Sequence, residues 1–206
     1  MVGAVPLRLV SGDAVYGASV TYTYHEAIAI ARIHPVVGLR DGGTRVALYG
    51  SGFASSASTR CRFAEVDVAA RLLPSGQLEC ASPLPASSGY VTLEVSVNGQ
   101  DFSASGVHFE YLQPVSVRAL EPAQGPTGGG TFVNVTGAAF SARSAQMGYI
   151  WCRFDTTEVA AASVSTAELH CVAPAHAAGV VRVELTLNEQ QYLSLIHISE
   201  PTRRIL

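Results

Sequence analysis

Apolar and polar residues alternate along much of the chain. Val91, Leu93, Val95 and Val97 fall on one side of an extended backbone, with Thr92, Glu94, Ser96 and Asn98 on the other. A period of two is what an antiparallel strand with one buried and one wet face requires. Val181, Val183, Leu185 and Leu187 against Arg182, Glu184, Thr186 and Asn188 repeat the pattern, and shorter runs place Val46 with Leu48 and Val133 with Val135 on core faces. Asn98-Gly99 supplies the positive-φ pair of a tight hairpin that returns the chain through Phe102 toward Val107, Phe109 and Tyr111. Asp41-Gly-Gly43 and Gly128-Gly-Gly130 read as turns between strands. No long segment keeps a helical period. Glu26 to Arg32 has the propensity for a short helix, but its counterpart Gln113 to Ala119 contains Pro and alternates, so a strand is predicted there.

The strands belong to a repeat. Ile33-His-Pro35 recurs as Leu120-Glu-Pro122, 87 residues on, and Gly43-Thr44, Gly50 and Phe53 recur at the same offset as Gly130-Thr131, Gly137 and Phe140. Cys61-Arg-Phe63 then matches Cys152-Arg-Phe154, and Cys80-Ala-Ser-Pro83 matches Cys171-Val-Ala-Pro174, both 91 residues apart, because the second copy carries four extra residues after Phe140. Val20-Thr-Tyr22-Thr-Tyr24 likewise matches Val107-His-Phe109-Glu-Tyr111. The expected organisation is therefore residues 1–27 as the last strands of a preceding copy and 28–112 as a complete repeat. Residues 113–192 follow as a repeat lacking its last strand, and 193–206 as a separate tail. About seven short strands per copy make each a small all-β sandwich. Only Leu112-Gln-Pro114 separates Tyr111 from the next strand, so the copies are expected to abut as a stiff rod.

Charge narrows the function classes. Charged residues are 14% of the 206 positions, against roughly 25% in an ordinary soluble domain. All 13 basic residues are Arg, and the net charge is −3, so nucleic acid is a poor partner. Hydrophobic residues reach 48%, yet nowhere do about 18 apolar residues run uninterrupted, and no membrane insertion is expected of this segment. Met1 to Arg8 lacks the charged and apolar regions of a secretory signal. The chain then reads either as cytosolic or as an internal piece of a longer protein, and the cysteine pattern below favours the second.

The repeated residues resemble the IPT/TIG family of immunoglobulin-like domains, of the cell-surface, plexin-like or fibrocystin-like type. The resemblance rests on Pro35, Gly42-Gly-Thr44, Gly50-Ser-Gly-Phe53, Cys61-Arg-Phe63, Cys80-Ala-Ser-Pro83 and Phe109-Glu-Tyr111. In the second copy it rests on Pro122, Gly129-Gly-Thr131, Gly137-Ala-Ala-Phe140, Cys152-Arg-Phe154 and Cys171-Val-Ala-Pro174. It implies tandem early-type immunoglobulin-like β-sandwiches, the last one truncated, used for recognition or as spacers and not for catalysis. An antibody-type domain fits poorly, since its core disulfide spans a longer stretch and packs on a buried Trp.

Four cysteines allow three pairings. Cys61 and Cys80 are 19 apart, as are Cys152 and Cys171, and alternation directs each pair toward one core, so these two disulfides are predicted. Buried free thiols in a cytosolic protein are the competing reading. Asn134-Val-Thr136 is a glycosylation sequon whose Asn alternates onto the outer face. Trp151 points out of the sandwich if Cys152 points in, which makes it either a partly covered strand residue or a contact for a partner.

Catalytic and metal chemistry is not legible. His170-Cys171 with His176 lacks a fourth ligand for zinc, Gly128-Gly-Gly130 lacks the lysine of a phosphate loop, and Gly50-Ser51-Gly52 has no matched base. His25, His34 and His108 are expected on solvated surface. No cofactor is implied. The run Leu193-Ser-Leu-Ile-His-Ile-Ser-Glu-Pro-Thr-Arg203 resembles a translated sequencing adapter, with Arg204-Ile-Leu206 as read-through, and is set aside from the functional reading.

The expectation is a non-enzymatic stretch of an extracellular or cell-surface glycoprotein, secreted or anchored by a single span. Its repeats would contact one another in cis and take a protein or glycan ligand, or serve as a stalk. An accessory module of a secreted polysaccharide-acting enzyme is the alternative. The DNA-contacting form of the fold is disfavoured by the missing basic residues.

Overall fold

The structure is a computed structural model, and it describes residues 3–163 and 165–194. A hairpin comes first, β1 (Gly3–Ser11) against β2 (Ala14–Tyr24), exposed along its whole length. The first sandwich follows with β3 (Ala29–His34), β4 (Val37–Gly38), β5 (Arg45–Ser51), β6 (Arg60–Phe63), β7 (Val66–Leu72), β8 (Leu78–Ala81), β9 (Gly89–Ser96) and β10 (His108–Tyr111). Glu26 to Ile28, predicted as part of a strand, precede β3 without regular structure. One face is β3-β5-β8 and the other β6-β9-β10-β4, with β10 and β4 parallel. Strand β7 pairs with β6 through Val66–Ala69 and with β8 through Ala70–Leu72, so it joins the two faces at one edge.

The second sandwich repeats this plan with β11 (Ser116–Glu121), β12 (Phe132–Ala138), a helix α1 (Ala142–Gln146), β13 (Trp151–Phe154), β14 (Thr157–Ala160), β15 (Ala162–Ser163), β16 (Glu168–Val172), β17 (Val183–Thr186) and β18 (Tyr192–Ser194). Its faces are β11-β12-β16-β15 and β14-β13-β17-β18. The helix occupies the four-residue insertion, which no helical periodicity announced. Ser141 caps it, its Oγ accepting from Ser144 N at 3.1 Å, and a single turn is too short to show a period.

Each core forms where the alternation places it. Val46, Leu48, Phe63, Leu78, Leu93 and Val95 are buried in the first sandwich, closed by Phe109 and Tyr111 from β10. Phe63 and Phe109 meet edge to face at 5.4 Å, and Phe109 and Tyr111 at 5.1 Å, a geometry that aromatic quadrupoles favour. Cys61 in β6 and Cys80 in β8 are bonded across the two faces with Cα atoms 6.4 Å apart, and Cys152 in β13 and Cys171 in β16 do the same, also at 6.4 Å. The motif glycine Gly50 has a packing reason. A Cβ there would lie 2.0 Å from Ala29 O, and at its counterpart Gly137 one would lie 2.3 Å from Ser116 O, so the first strand of each copy crosses where only glycine fits.

Candidate functional site

The most extensively built feature is the joint between the two sandwiches. Val37 and Leu112 of the first copy are buried in the core of the second, beside Tyr149, Ile150 and Leu187, and Val36 and Leu39 pack against the same cluster. Leu112, placed by the repeat arithmetic at the end of the first copy, is structurally shared.

Polar groups lock this apolar contact in register. Thr44 and Asn188 are both fully buried. Thr44 Oγ1 donates to Gln191 Oε1 at 2.7 Å, Asn188 Nδ2 donates to the same oxygen at 2.6 Å, and Gln191 Nε2 donates to Gly42 O at 2.7 Å. Gln190 pairs with the backbone of Arg45, accepting from its N at 2.9 Å and donating to its O at 2.8 Å, as a neighbouring strand does. Buried polar groups are tolerated when they are satisfied, and then they select one geometry.

The latch is a reused turn. In the second copy Asn188 Oδ1 accepts from the backbone N of Gln190 at 3.2 Å and Gln191 at 3.0 Å. In the first copy Asn98 Oδ1 accepts from Gln100 N at 3.0 Å and Asp101 N at 2.9 Å. The first is buried against a neighbour and the second is exposed. Gly99 takes the left-handed φ of 76° and Glu189 takes 63° at the equivalent place, so Asn98 acts as the acceptor of the turn, not as a positive-φ residue.

His34 is exposed, as expected, and it lies at the rim of the joint. Its Nδ1 lies 3.2 Å from Tyr149 Oη and its Nε2 3.2 Å from Glu189 Oε2. Burial pushes the Tyr149 phenol up, which keeps it protonated. Helix α1 contributes Arg143, which reaches Glu110 at 3.5 Å and the Tyr90 ring at 5.0 Å, both in the first copy. His34, Arg143, Gln190 and Gln191 were not recognisable beforehand, because nothing in a single strand's pattern states what lies across an interface. The one available signal was that the insertion and the hairpin turn are where the copies differ.

The outer faces carry a second repeated device. Arg62 stacks on Phe102 at 3.5 Å and pairs with Asp67 at 2.7 Å, and Arg153 stacks on Tyr192 at 3.6 Å and bonds Glu184 through Nε at 2.9 Å. The Arg62 guanidinium hydrogen-bonded to Asp67 lowers that carboxyl below its ordinary range. Burial and the Glu158 carboxylate that its hydroxyl bonds push Tyr192 up to about 12. The middle residue of each Cys-Arg-Phe motif thus organises the exposed side while its neighbours organise the core.

The remaining sequence candidates fall as follows. Asn134 lies half-buried on the outer face of β12, its Nδ2 donating to Glu168 Oε1 at 2.9 Å. Trp151 is half-buried, with Nε1 donating to Gly148 O at 3.1 Å. Tyr192, Leu193 and Ser194 pair with β17, while the adapter-like run from residue 195 onward lies outside the described residues. Among the described residues no group of three or more His, Cys, Asp or Glu side chains is arranged to hold a metal, and no helix is long and apolar enough to cross a membrane. A cavity of about 680 Å³ opens at the end of the second sandwich away from the joint, lined among others by Leu120, Gly125, Val133, Phe154, Val181 and Val183.

Paired sheets stapled across by one disulfide, duplicated and joined through a shared core, define tandem immunoglobulin-like β-sandwiches. The chain belongs to the IPT/TIG domain family, whose model matches residues 29–111 and 114–198. It is 30% identical to mouse plexin-B2 over 123 residues, covering 59% of this chain and 7% of that protein. It is also 30% identical to human plexin-A4 over 125 residues, covering 56% of this chain and 6% of that protein. The solved plexin A4 full extracellular region superposes with a TM-score of 0.57 at 17% identity, over 87% of this chain and 16% of that one, which is a likeness of fold. The chain therefore spans a small fraction of the length of the relatives it matches.

Proposed function

We propose that the chain is a non-enzymatic extracellular segment, part of a secreted or single-pass cell-surface protein, in which successive IPT/TIG repeats form a stiffened stalk that presents recognition surfaces to a protein or glycan ligand. The observation that carries this reading is the joint. A flexible linker would leave Thr44, Asn188 and Gln191 in water, whereas here they form a buried, mutually satisfied set between two cores that share Val37 and Leu112. The two disulfides and the likeness to a plexin extracellular region support the oxidising setting.

Within this reading Asn134 carries a glycan on the outer face of β12, and Trp151 contributes to a contact surface beside helix α1. Small-angle X-ray scattering of the 206-residue chain tests the stalk. The profile is expected to fit one arrangement of the two sandwiches, and a profile that requires a broad distribution of inter-repeat angles would contradict it. Mass spectrometry of protein secreted from mammalian cells, before and after glycosidase, tests Asn134.

A further inference from the structure

The outer face of the second sandwich carries an exposed aromatic platform beside Asn134, and we propose that the first N-acetylglucosamine of a glycan on Asn134 packs against it and stabilises this repeat. The inference rests on the reading that Asn134 is glycosylated, and adds what the sugar touches and what the contact does.

Strand geometry brings the parts together. Phe132, Asn134 and Thr136 alternate onto the outer face of β12, while Val133 and Val135 are buried. In β16 the residues directly opposite are Val172, His170 and Glu168. Phe132 reaches diagonally to His170, the cross-strand partner of Asn134, with ring centroids 4.5 Å apart. Phe132 is 58% exposed and Val172 50%, and on the far side of His170 stands only the small side chain of Ala162. Asn134 itself is half-buried, its Oδ1 enclosed without a hydrogen-bond partner and its Nδ2 donating to Glu168 Oε1 at 2.9 Å. Glycosylation replaces one of the two hydrogens on Nδ2 and leaves the other to donate, so the sugar and the bond to Glu168 are compatible.

The first copy shows that this set goes with the sequon. Its equivalent positions keep the same pairing, Arg45 opposite Ala81 and Ala47 opposite Glu79, and Glu79 is held by Arg71 at 3.1 Å. Where Ala47 stands in place of the asparagine, the neighbours are charged or small. Where Asn134 stands, they are Phe132, His170 and Val172.

The exposure of these positions does not depend on a neighbouring repeat. The first sandwich has one docked on it, with Gln190 bonded to the backbone of Arg45, and Arg45 and Ala81 remain exposed. Nor does it depend on a closing strand, because β10 lies in the opposite sheet, between β9 and β4.

The chemistry of the sugar fits the platform. One face of the N-acetylglucosamine ring presents C–H groups while its polar groups sit at the rim. Side chains two residues apart on a strand are about 6.7 Å from one another, close to the reach of one pyranose ring. The first sugar can therefore lie over Phe132 while later ones project into water. The contact removes apolar area from water on both partners and sets C–H groups against the negative face of the aromatic ring. Covalent attachment makes it intramolecular, so it forms without the cost of association.

The test uses the 206-residue chain secreted from mammalian cells in high-mannose form and trimmed by endoglycosidase H to a single N-acetylglucosamine. Thr136→Ala, which removes the sequon and keeps Asn134, supplies the sugar-free form, and intact mass establishes occupancy. Urea unfolding followed by Trp151 fluorescence reports on the second sandwich. The single sugar is expected to lower the unfolding equilibrium constant about two- to tenfold, the worth of one aromatic contact. That increment should vanish in Phe132→Ser and return in Phe132→Tyr, each measured against its own Thr136→Ala partner so that the cost of the substitutions cancels. Nuclear magnetic resonance of the trimmed protein should show sugar-ring protons moved upfield by the Phe132 ring, and not in Phe132→Ser. Equal increments in the wild-type and Phe132→Ser backgrounds, or sugar protons unchanged between them, would overturn the proposal while leaving glycosylation standing. Absence of sugar from the intact mass would overturn both readings.

Discussion

Replacing Gln191 with alanine removes three hydrogen bonds at the joint, two of them across it, from Thr44 Oγ1 at 2.7 Å and to Gly42 O at 2.7 Å, and one within the second copy, from Asn188 Nδ2 at 2.6 Å. Thr44 and Asn188 are fully buried, so their orphaned groups cannot turn to bulk water. At about 1 kcal/mol net per bond, more where a buried group is left unsatisfied, the substitution should destabilise the second sandwich and its docking by about 2–4 kcal/mol. Trp151 is the single tryptophan and lies in the second sandwich, so its fluorescence follows that repeat while far-UV circular dichroism follows both. In urea, the wild-type chain should give coincident transitions by the two probes. Gln191→Ala should shift the fluorescence transition to lower urea and separate it from the ellipticity. A double-mutant cycle with Thr44→Val isolates the direct contact, with an expected coupling of about 1 kcal/mol. Asp101→Ala, at the equivalent but exposed turn of the first copy, is the control and should change little. Additivity of Thr44→Val and Gln191→Ala within about 0.3 kcal/mol would refute the view that the latch couples the repeats.

Ala139 adopts a left-handed φ of 62° where the first copy has Gly52 at 75°, so Ala139→Gly should stabilise the second sandwich by about 0.5–1 kcal/mol, read from the urea midpoint. Burial pushes the Tyr111 phenol up to about 12 from an ordinary value of 10.0. Its protonated form therefore stabilises the fold fully below pH 10, and that contribution is lost as the pH rises toward 12. Tyr111→Phe should flatten this alkaline loss in pH-dependent denaturation. An unchanged pH profile would show that the phenol is not the group responsible. Cys61→Ala with Cys80→Ala opens a crosslink between residues 19 apart and should cost the first sandwich about 3 kcal/mol, seen as a lower melting temperature with the second sandwich's transition retained.

The repeat, the strands and both cores are legible in one dimension because each depends on spacing alone. Alternation puts Val46, Leu48, Cys61 and Phe63 on one face whatever lies opposite, and Gly50 marks the crossing where a side chain would collide with Ala29 O. Asn134 falls on the outer face for the same reason. The period of a strand is a local steric property, and a duplicated sequence states it twice.

What lies between the copies required three dimensions. Asn98 and Asn188 build the same turn from the same residue type, yet one is exposed and the other is buried against Thr44. His34 is the surface residue its sequence suggests but also bridges to Tyr149 and Glu189, and the four-residue insertion becomes a capped helix whose Arg143 reaches the first copy. Local pattern sets how each segment bends and which side it buries, whereas contact between distant segments follows from where the packed sandwiches place their ends.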